Sequence, residues 1–127
     1  MATKEVEYSD ITHPSEKYHE KSHGESFLAI AQKQLRPNGV YIFDEPEAAL
    51  SPQRQLTLLL EIYECMKNGS QFIIETHSPI LLGMPGAELF TFDDGAIHTC
   101  KYEETDSYQV TEMFINDRER ILKRLLQ

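Results

Sequence analysis

Residues 40–45, with the sequence VYIFDE, constrain the fold of this chain more than any other segment. Four consecutive apolar, β-prone residues are typical of a strand buried on both faces of a parallel sheet. Two carboxylates, Asp44 and Glu45, follow directly, so they should lie at the carboxyl edge of the sheet, where α/β proteins bind ligands. An ordinary polar turn after a strand is the alternative interpretation of this pair alone.

The segments that follow predict a strand–helix–strand unit. Ser51-Pro52 combines a serine cap with a proline in the first turn of a helix, and Asn68-Gly69 is a typical helix end. Residues 71–76 are rich in apolar residues and predict a second strand, which the helical crossover makes parallel to the first. The expected inner stripe of the helix consists of Leu56, Leu59, Leu60, Tyr63 and Met66.

The rest of the chain divides into a polar start and further α/β elements. We expect residues 1–21 to be irregular and residues 22–127 to form the ordered domain. A helix should begin at Ser22, because Ser22 and Glu25 have the spacing of a capping box. Asp94-Gly95 lies between two β-prone runs and predicts a β-hairpin. Residues 110–126 are predicted to be helical, with a break near Asn116.

Charge and composition limit the classes of function. A formal net charge of −9 over 127 residues disfavours a broad nucleic-acid-binding face and leaves a local one open. The basic residues near the C-terminus are typical of a solvated helix face. No apolar run approaches the roughly 20 residues of a membrane span, and residues 1–10 do not resemble a signal peptide. With two widely spaced cysteines, we expect a reduced, cytoplasmic protein without membrane insertion.

Three motifs in order carry a resemblance to a known family. Residues 44–51, DEPEAALS, closely resemble the Walker B and D-loop motifs of ABC-type ATPases, DEPTSALD. Residues 73–79, IIETHSP, look like the switch-histidine strand in the form found in ABC-like AAA and SMC-type ATPases. Upstream, residues 21–25, KSHGE, partly resemble the LSGGQ signature motif. Over roughly residues 20–100, the chain therefore resembles the C-terminal part of an ABC-type ATPase domain.

This resemblance implies a fold, two ligands and a set of site residues. The fold would be a P-loop NTPase-like parallel sheet with flanking helices and a C-terminal β-hairpin, and the ligands would be ATP and Mg²⁺. Asp44 would be the metal-associated carboxylate, Glu45 the general base, and His77 the residue that contacts the γ-phosphate and the attacking water. Ser22 and Gly24 would contact nucleotide across a dimer.

A phosphate-binding loop is missing from the pattern. No G-x-x-x-x-G-K-[ST] run occurs in the 127 residues, so the fold is expected to be incomplete at its N-terminal side. The chain alone should then have little ATPase activity, and a homo-oligomer or a partner that supplies the P-loop half is expected. Whether the chain acts as part of an enzyme, as a non-catalytic interaction module or as an ATPase remnant stays open at this point.

A zinc peptidase is a further alternative. His19-Glu20-x-x-His23 fits the H-E-x-x-H motif, in which two histidines bind zinc and the glutamate is the general base. Glu45 or Glu47 would be the candidate third ligand. A helix that begins near His23 would exclude His19, however, which disfavours this alternative.

Overall fold

The structure is a computed structural model that describes residues 23–92 and 95–127. The chain divides after Pro85 into two compact units. The first unit contains α1 (His23–Gln34), β1 (Val40–Asp44), a 3₁₀ helix (Pro46–Ala49), α2 (Pro52–Lys67), β2 (Gln71–Glu75) and a 3₁₀ helix (Leu81–Gly83). The second unit contains β3 (Leu89–Thr91), β4 (His98–Cys100), a 3₁₀ helix (Tyr102–Glu104), α3 (Asp106–Asn116) and α4 (Arg118–Leu125).

The first unit is built around the predicted parallel pair of strands. β1 and β2 pair in parallel, with a register that runs from Val40 opposite Gln71 to Asp44 opposite Glu75. The connecting helix α2 begins as predicted, because the Ser51 hydroxyl accepts a hydrogen bond from the Arg54 amide at 3.2 Å. Since both strands end at the same level, the residues that follow them meet at one edge of the sheet.

One face of this sheet carries the hydrophobic core. Tyr41 and Phe43 of β1 are buried there, together with Phe27 of α1 and Leu58 and Ile62 of α2. The Phe27 and Phe43 ring centroids lie 6.3 Å apart in an edge-to-face arrangement, which aromatic pairs favour. The two helices and the two strands therefore share a single core.

The opposite face of the sheet is open in the described part of this unit. Ile42 and Ile73, which alternate with the core residues, are 50% and 55% exposed. The prediction that β1 is buried on both faces is therefore wrong for the residues that the structure describes. The alternation arises because successive side chains of a strand point to opposite faces, and the described helices of this unit pack on only one of them.

The inner stripe predicted for α2 is also partly wrong. Leu58 and Ile62 are the buried residues of this helix, whereas Leu56, Leu60 and Tyr63 are exposed. Both sets have helical spacing, so periodicity alone does not distinguish them. Packing against the sheet selects the set that contains Leu58.

The second unit confirms the predicted hairpin. β3 and β4 pair antiparallel, with Leu89 opposite Cys100. Gly95 adopts a φ of 75°, as a tight turn requires, while Asp94 lies outside the described residues. The helical tail breaks at Asp117 as predicted. Its first helix, α3, begins at Asp106, before the expected residue 110, because the Thr105 hydroxyl caps it by accepting a hydrogen bond from the Tyr108 amide.

No described helix combines the length and the apolar character that a bilayer crossing requires.

Candidate functional site

Two carboxylates face each other where the parallel strands end. Asp44 is the last residue of β1 and lies opposite Glu75, the last residue of β2. The negative charge of Asp44, and a hydrogen bond that the two side chains share, raise the pKa of Glu75 above its ordinary value. The two carboxyl groups therefore repel each other when both are ionised, and a cation at the edge of the sheet would relieve that repulsion.

Glu45 leaves the strand in an unusual conformation. Its φ and ψ are 48° and 54°, in the left-handed region, which costs a residue with a side chain about 1–2 kcal/mol. The backbone is held there because the Glu45 amide donates to the Glu75 carbonyl at 2.7 Å and because Pro46, the next residue, is buried. Strain of this kind is concentrated at functional sites in proteins.

The Glu45 carboxylate lies beside the imidazole of His77. Oε1 of Glu45 is 3.3 Å from Nε2 of His77, and the two side chains are 49% and 77% exposed. A pair that is so open to water contributes little to stability. It is, however, well placed to contact a water molecule or a ligand at the sheet edge.

Glu47 connects the two loops of the site. Its Oε1 accepts a hydrogen bond from the Thr76 hydroxyl at 2.6 Å, and its Oε2 accepts one from the His77 amide at 2.8 Å. The Thr76 hydroxyl also accepts a hydrogen bond from the Ser78 amide at 3.0 Å. The turn that carries His77 is thus organised around one carboxylate of the other loop.

Ser78 fixes the far side of this turn. Its hydroxyl is buried, donates to the side-chain carbonyl of Gln55 in α2, and accepts from the Ile80 and Leu81 amides. The segment after β2 therefore has anchors on both sides of His77.

The structure brings together three of the predicted site residues. Asp44, Glu45 and His77 lie at the same edge of the parallel sheet. Gly24 lies in the first turn of α1, and Ser22 lies outside the described residues. The predicted contact of these two residues with nucleotide across a dimer stays a prediction.

The zinc alternative depends on residues that the structure does not describe. His19 and Glu20 lie outside the described residues, as does the segment 1–21 that was expected to be irregular. Within residues 23–92 and 95–127, no group of three or more His, Cys, Asp or Glu side chains is placed to hold a metal ion. The H-E-x-x-H alternative therefore stays a prediction.

Glu75 and Glu47 also contribute to this site, and neither was predicted from the sequence. Glu75 could have been found, because it precedes the His77 turn at the end of a parallel strand and must lie near Asp44 if the strands end together. Glu47 gives no comparable signal. Its hydrogen bonds join residues that are 29 and 30 positions apart, and only the folded chain brings them together.

Part of the chain is similar to a known protein family. Residues 24–83 match the family model described as "AAA domain, putative AbiEii toxin, Type IV TA system". No curated protein matches the chain. The matched segment, a little under half of the chain, contains α1 except for its first residue, both strands of the parallel sheet, and the Glu45 and His77 residues of the site. The match supports an AAA-type, P-loop ATPase-like family for this chain and, at the level of the family, a nucleotide-binding function.

Proposed function

We propose that this chain contributes to Mg²⁺-dependent hydrolysis of ATP as part of an ABC-like AAA ATPase whose P-loop lies outside these 127 residues. The observation that carries the proposal is the Glu45 carboxylate 3.3 Å from the His77 imidazole, directly after Asp44 at the edge of a parallel sheet. Phosphoryl transfer requires a group that orients the attacking water and groups that stabilise charge on the transferred phosphate. The residues at this edge supply both.

Glu45 is the candidate general base. Its carboxylate is open to water, while its backbone is held by the hydrogen bond to the Glu75 carbonyl and by the buried Pro46. A carboxylate in that position would accept a proton from water as the water attacks the γ-phosphorus. The bond between the γ-phosphorus and the bridging oxygen then breaks, and ADP leaves. His77 would donate a hydrogen bond to the γ-phosphate or to the attacking water from the other loop.

Asp44 and its surroundings suit Mg²⁺. Oxygen ligands are those that Mg²⁺ prefers, and nucleotide enzymes usually hold it with one or two carboxylates, waters and substrate phosphates. At the sheet edge, Asp44 lies opposite Glu75 and directly before Glu45, so carboxylates are available there for that mode of binding. When bound, the ion would neutralise charge on the phosphates. Asp44 would hold it, directly or through water.

The assembly state is part of the same proposal. Gly24 lies in the first turn of α1, and the free N–H groups of a helix start favour an anion. The resemblance to a signature motif assigns Ser22 and Gly24 to the nucleotide of a second subunit. A homo-oligomer, or a complex with a P-loop-bearing partner, is therefore proposed for the active form.

Three substitutions test the assignment in the chain joined to, or co-expressed with, a P-loop-bearing segment. Glu45→Gln should retain ATP binding and lower kcat by orders of magnitude, because the amide has the reach of the carboxylate but does not accept the proton. His77→Ala should likewise retain most binding and slow the chemical step. Asp44→Asn should weaken Mg²⁺-dependent binding and turnover together. Glu88→Gln, at an exposed carboxylate of the other unit, is the matched control.

Two results would overturn the proposal. Hydrolysis that survives all three substitutions would show that these residues do not carry the reaction. Identical effects of Asp44→Asn and Glu45→Gln on binding and rate would show that Asp44 and Glu45 do not have the separate roles of metal ligand and general base. In the chain alone, we expect ATP turnover close to background, since most affinity for the triphosphate would come from the P-loop.

A non-catalytic interaction module is the second candidate function. The exposed Ile42 and Ile73 on one face of the sheet, and Leu56 and Leu60 on α2, are the observation in its favour, because exposed apolar patches often mark protein contacts. Size-exclusion chromatography beside an ATPase assay separates the candidates. A stable assembly that binds no ATP, even with a P-loop segment present, would favour the interaction module.

A further inference from the structure

Glu47 is the residue of the site whose contacts the proposed chemistry does not use. It lies in the 3₁₀ helix Pro46–Ala49, is half-buried, and directs both carboxylate oxygens to the loop after β2. Hydrogen bonds to an ionised carboxylate are about twice as strong as those between neutral groups. Two such bonds from one side chain join the loop that carries Glu45 to the loop that carries His77.

The His77 side chain depends on its backbone for its position. The imidazole is 77% exposed and lies 3.3 Å from the Glu45 carboxylate. Little packing therefore holds the ring in place. Its distance from Glu45 is set chiefly by the path of the backbone at residues 76–78, and Glu47 binds the His77 amide and the Thr76 hydroxyl of that segment.

We propose that Glu47 is a positioning residue, which holds the backbone of His77 and thereby sets the distance between the His77 imidazole and the Glu45 carboxylate. This inference rests on the proposed function for its catalytic consequence. The positioning itself does not depend on that function and is measurable in the chain alone.

Three variants separate the role of the carboxylate from that of the side chain as a spacer. Glu47→Ala removes both acceptors. Glu47→Gln keeps the length of the side chain. Its carbonyl oxygen can still accept a hydrogen bond from the His77 amide, and its NH₂ group can donate one to the Thr76 hydroxyl. Glu88→Ala removes an exposed carboxylate in the other unit and serves as the control.

Amide hydrogen exchange of the full chain, followed residue by residue by NMR, tests the positioning. Glu47→Ala should accelerate exchange at His77 about tenfold or more, because its acceptor is lost. The amides of Ile73 and Ile74 in β2 should keep their rates, and Glu47→Gln should restore most of the protection at His77. An equal acceleration in β2 and at His77 would show a purely structural role, and an unchanged rate at His77 would show that the bond does not hold this amide. Either result overturns the proposal.

Kinetics of the chain completed by a P-loop segment test the consequence. Glu47→Ala should lower kcat with little change in the KM for ATP, and Glu47→Gln should keep much of the original rate. In a chain that already carries His77→Ala, the Glu47→Ala substitution should lower kcat little further. An equal effect of Glu47→Ala in both backgrounds would overturn action through His77. If His77→Ala itself leaves hydrolysis intact, the proposed role of His77 fails, and the exchange result still decides whether Glu47 holds the loop.

Discussion

Replacing Glu45 with glycine should make the protein more stable while removing the proposed general base. Glu45 has a φ of 48°, and the left-handed region costs a residue with a side chain about 1–2 kcal/mol. Glycine avoids this cost but loses about 0.4–1 kcal/mol through the greater freedom of the unfolded chain. The difference leaves a gain of about 1 kcal/mol in the free energy of unfolding.

Glu45→Gln is the reference for this measurement. It removes the same charge and the same exposed contact with His77, yet it keeps a side chain on the left-handed backbone. The comparison of glycine with glutamine therefore isolates the backbone strain. For a chain of this size, 1 kcal/mol corresponds to about 3–5 °C in Tm, which thermal unfolding followed by circular dichroism resolves.

A second left-handed position supplies a further control. Asn38 has a φ of 59°, and asparagine tolerates this region better than glutamate does. Asn38→Gly should therefore give a smaller gain than Glu45→Gly. If Glu45→Gly is no more stable than Glu45→Gln, the backbone at Glu45 stores no strain, and strain does not mark this site.

Leu58→Ala should lower the free energy of unfolding by about 2–5 kcal/mol in urea titrations, because Leu58 is fully buried in the core; a loss below 1 kcal/mol would contradict its place there. Gly69→Ala should cost about 1–2 kcal/mol, since Gly69 has a φ of 91° and an added Cβ would collide with the Asn38 side chain. An unchanged Tm would exclude this conformation. Glu75→Gln should stabilise the protein at pH 7 and not at pH 4. Asp44 raises the pKa of Glu75, so the stability of the native protein falls as the pH rises through that pKa and Glu75 becomes ionised. An equal gain at both pH values would contradict repulsion between the two carboxylates. In the ATPase completed by a P-loop segment, Asp44→Asn should raise the Mg²⁺ concentration needed for half-maximal ATP binding, measured by titration. An unchanged Mg²⁺ concentration would show that Asp44 does not bind the metal.

The elements around the site could be predicted from local sequence. The Ser51-Pro52 start of α2 and its Asn68-Gly69 end are local signals, because caps and turns depend on residues only a few positions apart. The apolar runs before Asp44 and His77 predicted the two strands, and the helix between them predicted their parallel pairing. Because parallel strands end at a common edge, this was also sufficient to expect Asp44, Glu45 and His77 near one another.

The tertiary structure decided what local patterns leave open. Two apolar stripes fit the period of α2, and only packing against the sheet buries Leu58 rather than Leu56. Likewise, the apolar run of β1 did not reveal that Ile42 lies on an open face among the described residues. The contacts of Glu47 with the loop after β2 span about thirty positions. The sequence by itself therefore determined which residues reach the sheet edge. Their register, the left-handed turn at Glu45 and the carboxylate that holds His77 depend on long-range packing and hydrogen bonds, which no short window of sequence contains.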